Sequence, residues 1–320
     1  MQNRTHSLSS PPKYIGRFAP SPSGPLHFGS LVCALASFLD ARANKGSWLL
    51  RIENIDPPRE QTDADKRIIN SLQKHGLLWD EEIRYQSNRN AYYDDALKSI
   101  EQRGLSYRCT CTRKELAARR NKHTHGYDGK CRTRAIDASQ PAAVRLNTDI
   151  TCTQLFINGN YQYHDLIQGT VEENFAHTGD FVIHRKDGLY AYQLAVSCDD
   201  IDQNITHVVR GNDLLDTTPQ QQLLIALLGK HIPVYAHIPV IAHSDGHKLS
   251  KQNHAQALND DIPTENIFRA LVALGMLPPR QHFRLDTAPT ALLIWAIENW
   301  QRDNIPRKQY IIEGELPTLR

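Results

Sequence analysis

The chain has 320 residues, of which 40% are hydrophobic and 22% are charged, and its formal net charge is +2 at pH 7. This length can bury a substantial core in one large domain with insertions or in two domains, and the composition is that of a globular enzyme. The near-neutral charge excludes nucleic-acid binding by bulk charge, so such a partner must be met by a local basic patch.

The first elements of the chain alternate between strand and helix patterns. Strands are predicted at 14–19, 47–52 and 106–109, and helices at 31–44, 61–75 and 90–102. Such alternation predicts an α/β fold in which a parallel sheet carries helices on both faces. Ligands of that architecture bind at the carboxyl ends of the strands.

A proline- and glycine-rich segment joins the first strand to the first helix. Residues 17–30 are Arg-Phe-Ala-Pro-Ser-Pro-Ser-Gly-Pro-Leu-His-Phe-Gly-Ser. His27 can donate to phosphate oxygens, and Gly29 lets a nucleotide approach the backbone at the positive end of the following helix. These features favour a nucleotide site, and the alternative for the segment alone is a hydrogen-bonded turn histidine.

A second basic motif, His-Lys-Leu-Ser-Lys, occupies residues 247–251. Attack of a carboxylate on the α-phosphate of ATP builds up negative charge, which catalysis must offset by positioning and electrostatics. Lys248 and Lys251 can supply mobile positive charges to the leaving pyrophosphate. The alternative is an ordinary solvated basic loop.

Three of the six cysteines, Cys109, Cys111 and Cys131, fall in one segment. Their clustering predicts a structural zinc, with three unligated thiols as the alternative. The fourth ligand stays open among Tyr127, His123 and His125. Imidazole is the commoner zinc ligand, so chemistry alone favours a histidine. Six cysteines are too few for a disulfide framework in this length, which fits a reducing cytoplasm.

An insertion interrupts the sheet pattern at residues 107–136. Its segment from Arg113 to Arg134 carries eight lysines and arginines against two acids, and is either a solvated surface or a contact for RNA phosphates. The sheet pattern is predicted to resume with segments at 180–184, 188–196, 206–210 and 234–241. From residue 261 to about 299 the pattern is helical.

The two nucleotide motifs, in this order, resemble those of class I aminoacyl-tRNA synthetases, and Arg-Phe-Ala-Pro-Ser-Pro-x-Gly-x-Leu-His is typical of the glutamyl and glutaminyl type. The sequences at 50–60, 190–196 and 198–214, together with the cysteine segment, narrow the resemblance to the glutamyl-Q tRNA(Asp) synthetase family. These are truncated paralogues of glutamyl-tRNA synthetase. The resemblance runs from about residue 14 to about residue 252.

The resemblance implies roles for particular residues. Glutamate would be bound by Arg17, Phe18, Ala19, Pro20, Ser21, Glu53, Tyr192 and Arg210. ATP would be bound by His27, Gly29 and Lys251, while Ser30 and Lys248 complete the catalytic motifs. The zinc ligands would be the three cysteines and Tyr127, which displaces the histidine favoured above. Surface ion pairs for Arg17 and Arg210, a solvated Glu53 and a core Tyr192 are the alternatives.

The implied function is activation of L-glutamate by ATP, with Mg²⁺, followed by transfer of glutamate to the queuosine base in the anticodon loop of tRNA(Asp). One alternative is a minimal glutamyl-tRNA synthetase that charges the 3′ end of tRNA. Another is a catalytically inactive, zinc-stabilised RNA-binding module. The stretch after Lys251 is too short for the helical anticodon-binding domains of a full glutamyl-tRNA synthetase, so we expect none.

The expected fold is α/β: a class I synthetase Rossmann-type parallel sheet with a zinc-bearing insertion and a short helical C-terminal region. We expect a flexible N-terminus at 1–12, the two halves of the Rossmann domain at 13–106 and 180–242, and the zinc-bearing, acceptor-binding-like insertion at 107–179. The loop with the second basic motif, which resembles the KMSKS motif of class I synthetases, and the helical region follow at 243–320. Residues 1–12 lack the apolar segment of a signal peptide, and no run of about 18 apolar residues occurs, so we expect a cytoplasmic monomer without a membrane span.

Overall fold

The computed structural model of the protein describes residues 13–119, 126–243 and 256–319. Strand β1 (Ile15–Phe18) runs parallel to β2 (Ser47–Ile52), which runs parallel to β3 (Asp80–Tyr85). Helix α1 (Phe28–Ala43) connects the first two strands and α2 (Ala64–Lys74) the second two. The predicted parallel α/β arrangement is therefore confirmed.

Helix α1 lies in the middle of the main core. Leu31, Leu35 and Leu39, spaced four residues apart on one face, are fully buried. Its run of alanine and leucine has high helix propensity, and the side chain of His27 caps its first turn. The segment 19–27 therefore leads from the carboxyl end of β1 to the capped start of this helix.

Between β3 and residue 190 the chain forms helix α3 (Asn90–Gln102), β4 (Ser106–Cys109), α4 (Arg113–Arg119), β5 (Ala143–Leu146), α5 (Thr148–Gln154), the hairpin β6 (Asn160–Asp165) and β7 (Gly169–Asn174), α6 (Phe175–Thr178) and β8 (Val182–His184). Strands β4, β5 and β8 form an antiparallel sheet. The expectations that 106–109 belongs to the parallel sheet and that 180–184 resumes it are therefore wrong, although both segments are strands. A short apolar run predicts a strand, but its partner and direction depend on residues far away in the chain.

The second half of the parallel arrangement contains α7 (Tyr192–Asp202), β9 (His207–Gly211), α8 (Thr218–Leu227), β10 (Val234–Ile238) and β11 (Val240–Ala242). Strands β9 and β10 are parallel, and Thr206 N–H donates to the Ile15 carbonyl at 2.9 Å, which places β9 beside β1.

Two details of this half differ from the sequence-based expectations. The sheet segment expected at 188–196 is wrong, because α7 begins at Tyr192 and its apolar residues are buried as a helix. The segment expected at 234–241 is divided at Pro239, which has no N–H for a ladder hydrogen bond.

The C-terminal region adds α9 (Pro263–Ala273), α10 (Pro289–Glu298) and β12 (Tyr310–Ile312). The two helices confirm the helical pattern expected after residue 261, but β12 was not expected, and it pairs in parallel with β11. Phe268 and Leu271 of α9 share the core with α1. Among the helices that the structure describes, none has the length and apolar character needed to cross a membrane.

Candidate active site

A cavity of about 790 Å³ opens at the carboxyl ends of β1, β2, β9 and β10. Its lining includes the described residues that the sequence singled out for glutamate and ATP: Arg17, Phe18, Ala19, Pro20, Ser21, His27, Gly29, Ser30, Glu53, Tyr192 and Arg210. Lys248 and Lys251 lie outside the described residues. Residues from four separate strand ends are thus brought into one cavity, as the parallel sheet predicts.

One side of this cavity rests on a buried ion network. The Asp200 carboxylate accepts from Arg17 Nε at 3.3 Å and from Arg51 Nη1 at 2.8 Å. Arg51 Nη2 also donates to Glu53 Oε1 at 3.2 Å. Among the described residues, neither Nη group of Arg17 has a hydrogen-bond partner, so both can serve a ligand in the cavity.

The pKa values of Glu53 and Asp200 are shifted in opposite directions. Burial raises the pKa of the Glu53 carboxyl, and the guanidinium groups of Arg51 and Arg17 oppose that only in part. Burial also disfavours the charge of Asp200, but Arg17 and Arg51 outweigh it and hold the pKa of Asp200 below its ordinary value. A ligand ammonium beside Glu53 would stabilise the charge that burial disfavours.

Tyr192 and Arg210 add further polar groups to the lining of the cavity. Burial, assisted by the nearby Glu53, raises the pKa of Tyr192 to about 12, so its phenol stays neutral and can donate a hydrogen bond at neutral pH. Arg210 Nη1 donates to Gln221 Oε1 at 2.8 Å, and Nη2 donates to Thr218 Oγ1 at 2.7 Å. Among the described acids, none lies within 4.0 Å of Arg210 to form an ion pair, so its charge is not neutralised locally.

His27 and Ser30 hold each other at the start of α1. The backbone N–H of Ser30 donates to His27 Nδ1 at 3.3 Å, and His27 Nε2 lies 2.9 Å from Ser30 Oγ. With Nδ1 accepting, the neutral ring carries its proton on Nε2 and can donate it to the hydroxyl or to a phosphate oxygen. A Cβ at Gly29 would lie 3.3 Å from two atoms of this ring, so a larger residue here would crowd the imidazole.

The three clustered cysteines meet in space. The Sγ atoms of Cys109, Cys111 and Cys131 all lie within 4.8 Å of one another. Tyr127 Oη lies 3.4 Å from the Sγ atoms of both Cys109 and Cys111. A tetrahedral zinc with thiolates at about 2.3 Å has its ligand atoms roughly 3.8 Å apart, so these donors fit that group. The three cysteines can therefore hold a metal ion. His123 and His125 lie outside the described residues.

Two arginines of the basic segment are already paired within the protein. Arg119 donates to Asp128 at 2.8 Å and to Cys111 Sγ at 3.3 Å. Arg132 donates to Asp180 at 2.6 Å. These two charges are therefore partly neutralised, and the remaining candidates for RNA phosphates include Arg113, Lys114, Lys130 and Arg134, with Arg120 outside the described residues.

Sequence reasoning missed the residues that support the cavity from behind, namely Arg51, Asp199, Asp200, Asp165 and His237. Asp199 accepts from Gln86 Nε2 at 2.8 Å and from Arg89 Nε at 2.6 Å. A charged residue inside an otherwise apolar run is the signal that was available, because Arg51 interrupts a buried strand. Burying a charge requires a paired partner, so such a residue predicts an ion network.

Comparisons with known proteins agree with this arrangement. A family profile described as "tRNA synthetases class I (E and Q), catalytic domain" matches residues 14–288. A protein of Pseudomonas fluorescens named "Glutamyl-Q tRNA(Asp) synthetase" is 46% identical over 315 residues, which covers 98% of this chain and 99% of that protein. A protein of Pectobacterium atrosepticum with the same name is 43% identical over 297 residues, covering 92% of this chain and 87% of that protein.

Solved structures show the same fold. The crystal structure of a glutamate tRNA ligase from Elizabethkingia meningosepticum, in complex with its amino acid, superposes with a TM-score of 0.74 at 24% sequence identity. The match covers 92% of this chain but 66% of that ligase. The expected fold, a class I synthetase architecture with a parallel sheet, is thereby confirmed.

Proposed function

The chain belongs to the class I tRNA synthetases of the glutamyl and glutaminyl type, and within them to the glutamyl-Q tRNA(Asp) synthetase family, and is thus a ligase-type enzyme; we propose that it activates L-glutamate with ATP and transfers it to queuosine. The acceptor in this proposal is the queuosine base in the anticodon loop of tRNA(Asp). The observation that carries the proposal is the cavity that joins Arg17, Glu53 and Arg210 to the capped start of α1.

The charges of the cavity suit glutamate. This amino acid presents two carboxylates and one ammonium at neutral pH, and the residues proposed to bind it, Arg17, Arg210 and Glu53, supply two guanidinium groups and one carboxylate within the cavity. The Nη groups of Arg17 can form a two-pronged contact with one carboxylate. Glu53 is the partner for the ammonium, and the neutral phenol of Tyr192 can donate to a remaining oxygen.

Activation forms one bond and breaks one. A carboxylate oxygen of glutamate attacks the α-phosphorus of ATP, and pyrophosphate leaves with the electron pair of the broken P–O bond. His27 and the positive end of α1 would stabilise the growing negative charge, and Gly29 allows the close approach of the nucleotide. Lys248 and Lys251, from the sequence motif, would neutralise the leaving pyrophosphate, with Mg²⁺ accompanying ATP.

Transfer completes the reaction. A hydroxyl of the queuosine cyclopentenediol attacks the carbonyl carbon of glutamyl-adenylate, AMP leaves, and an ester remains on the base. Two vicinal hydroxyls of this ring resemble those of a ribose, so a site that esterifies ribose can accept them without new catalytic groups.

A zinc ion is proposed for the cysteine cluster. Cys109, Cys111, Cys131 and Tyr127 would hold it, and four protein ligands leave no position for a reactive water. Its role is thus to hold the β4–α4 connection and the Tyr127 loop together within the insertion. In this proposal the zinc ion takes no part in the chemistry of the reaction.

An ATP–pyrophosphate exchange assay tests the activation step. Purified protein should exchange label with L-glutamate but not with L-glutamine, and Lys251→Ala should lower the rate by about 10² or more while glutamate binding changes little. Absence of exchange with glutamate, with or without tRNA, would favour the inactive RNA-binding alternative.

The acceptor is tested with labelled glutamate and three forms of tRNA(Asp). Queuosine-containing tRNA should be glutamylated, tRNA without queuosine should not, and queuosine-containing tRNA that lacks only its 3′-terminal adenosine should be glutamylated fully. Loss of acceptance with the truncated RNA would instead show charging of the 3′ end.

A further inference from the structure

A buried chain of hydrogen bonds connects the hairpin β6–β7 of the insertion to Arg210 in the cavity. His237 Nδ1 lies 2.6 Å from Asp165 Oδ2, and Arg210 Nε donates to His237 Nε2 at 3.0 Å. Asp165 and His237 are fully buried and Arg210 is 3% exposed. The last residue of β6 thus contacts the cavity arginine through one imidazole.

The protonation of His237 follows from its partners. The Nε of Arg210 can only donate, so His237 Nε2 must accept its hydrogen bond. The proton of the neutral ring is therefore on Nδ1, which donates a hydrogen bond to Asp165. Thr218 Oγ1 also lies 3.1 Å from Nε2, but it accepts from Arg210 and can donate to the Leu214 carbonyl at 3.0 Å. Burial and the nearby Arg210 lower the pKa of His237 to about 4, in agreement with a neutral ring.

The orientation of the Asp165 carboxylate is fixed independently of His237's ring. Its Oδ1 accepts from the backbone N–H groups of Ile167, Gln168 and His237 at 3.0, 2.9 and 3.1 Å. With one oxygen occupied by three amides, the other oxygen faces His237 Nδ1. The turn of the hairpin therefore holds an acceptor oxygen against Nδ1, which favours the same tautomer as the Arg210 contact.

Arg210 differs from Arg17 in its partners. Arg17 donates to the carboxylate of Asp200, whereas the described acceptors of Arg210 are the neutral groups of His237, Gln221, Thr218 and Leu214. A buried cation held by neutral acceptors keeps its charge available for an anion. The groups that hold Arg210 in place thus do not neutralise it.

We propose that Asp165 and His237 are positioning residues for Arg210, which hold its guanidinium toward a carboxylate of the substrate and make substrate binding depend on docking of the β6–β7 hairpin. The inference rests on the proposed function, because the ligand is taken to be an amino acid with carboxylates. It assigns to the insertion a role in amino-acid binding, in addition to the RNA contact that its basic segment would make.

The variant Asp165→Asn tests this arrangement. In this variant the three backbone amides hold the side-chain oxygen of the new amide toward them, so its NH₂ group faces His237 and drives the ring proton to Nε2, where it opposes Arg210 Nε–H. We expect the KM for glutamate to rise roughly tenfold to a hundredfold, the scale of one lost hydrogen bond to a charged group. The KM for ATP should stay within about twofold.

Nitrogen NMR of the imidazole supplies a readout independent of activity. The native protein should show His237 with its proton on Nδ1, and Asp165→Asn should move the proton to Nε2. The matched control is Gln168→Ala, which removes the 2.7 Å bond from Gln168 Nε2 to the His237 carbonyl but leaves the ring partners intact. Its KM for glutamate and its tautomer should match those of the native protein.

If Asp165→Asn fails to fold, His237→Asn tests the same positioning role. Its amide can still donate to Asp165, so the buried carboxylate stays bonded, but the acceptor for Arg210 is lost, and the same rise in the KM for glutamate is expected. An unchanged KM in a folded variant, or a native ring protonated on Nε2, overturns the inference. If the native protein shows no exchange with glutamate, the proposed function fails, while the tautomer result stands separately.

Discussion

Arg17 and Asp200 form an ion pair with Nε and Oδ1 3.3 Å apart, although both side chains are at most 4% exposed. The same carboxylate accepts from Arg51 at 2.8 Å. One acid from α7 therefore pairs with two arginines, one from β1 and one from β2. The ion pair holds Arg17 through its Nε and leaves the two Nη groups for a ligand.

Replacing Asp200 by Asn should destabilise the protein. The change leaves two buried guanidinium groups short of one negative charge, and breaking a buried pair costs about 3–5 kcal/mol. Urea unfolding measures the effect. The control is Asp202→Asn, two residues along α7, which removes a partly exposed partner of Arg84 and Arg89 and should cost about 1 kcal/mol or less. Equal losses in the two variants would contradict the role given to Asp200.

Gly29→Ala should slow glutamate activation. The new Cβ would lie 3.3 Å from the His27 ring and 3.5 Å from Ile241 Cβ, so the ring must shift. A small displacement of a positioning group can cost up to about 10² in rate. Pyrophosphate exchange is the measurement, with Gly314→Ala as the control, because a Cβ there would meet nothing within 4 Å. Native exchange rates in Gly29→Ala would show that His27 needs no fixed position.

Cys131→Ser should abolish stoichiometric zinc binding and lower the melting temperature. Serine is a poor ligand for zinc, and the remaining donors cannot complete a tetrahedron. Tyr127→Phe should weaken zinc binding, measured by competition with a chelator, since only the Oη donor is lost. Cys152→Ser is the control, because Cys152 is buried outside the cluster and should leave metal content unchanged. A native metal content in Cys131→Ser would refute the site.

The free energy of unfolding should fall as the pH is lowered from 7 to 5. The pKa of His237 is lowered from 6.5 to about 4 in the folded protein, so between these values the unfolded chain binds more protons. By proton linkage the stability contributed by this group is present above pH 6.5 and is lost toward pH 4, with a change of about 2 kcal/mol between pH 7 and 5. His237→Asn should reduce that difference, measured by urea unfolding at both values. The same pH dependence in the variant would assign it to other groups, such as His75 and His207, whose pKa values are also lowered by burial.

Local patterns predicted many elements closely. The strand at 47–52, the helix at 90–102 and the strand at 106–109 have the predicted bounds, because hydrophobic periodicity and turn residues act over a few neighbours. The cysteine spacing likewise identified a cluster whose sulfur atoms meet in space. These are properties that short stretches of sequence carry by themselves.

The sequence by itself thus determined the α/β class, about half of the strand and helix positions that the structure describes, and the residue types proposed to bind the substrates in the cavity. Only the tertiary structure decided that β8 joins an antiparallel sheet, that α7 begins at Tyr192, and that Asp200 is the partner of Arg17. These facts depend on contacts between distant segments: Arg17 and Asp200 are 183 residues apart, and Asp165 and His237 are 72 apart. A buried charge signals that a partner is needed, but packing of the whole chain selects which residue supplies it.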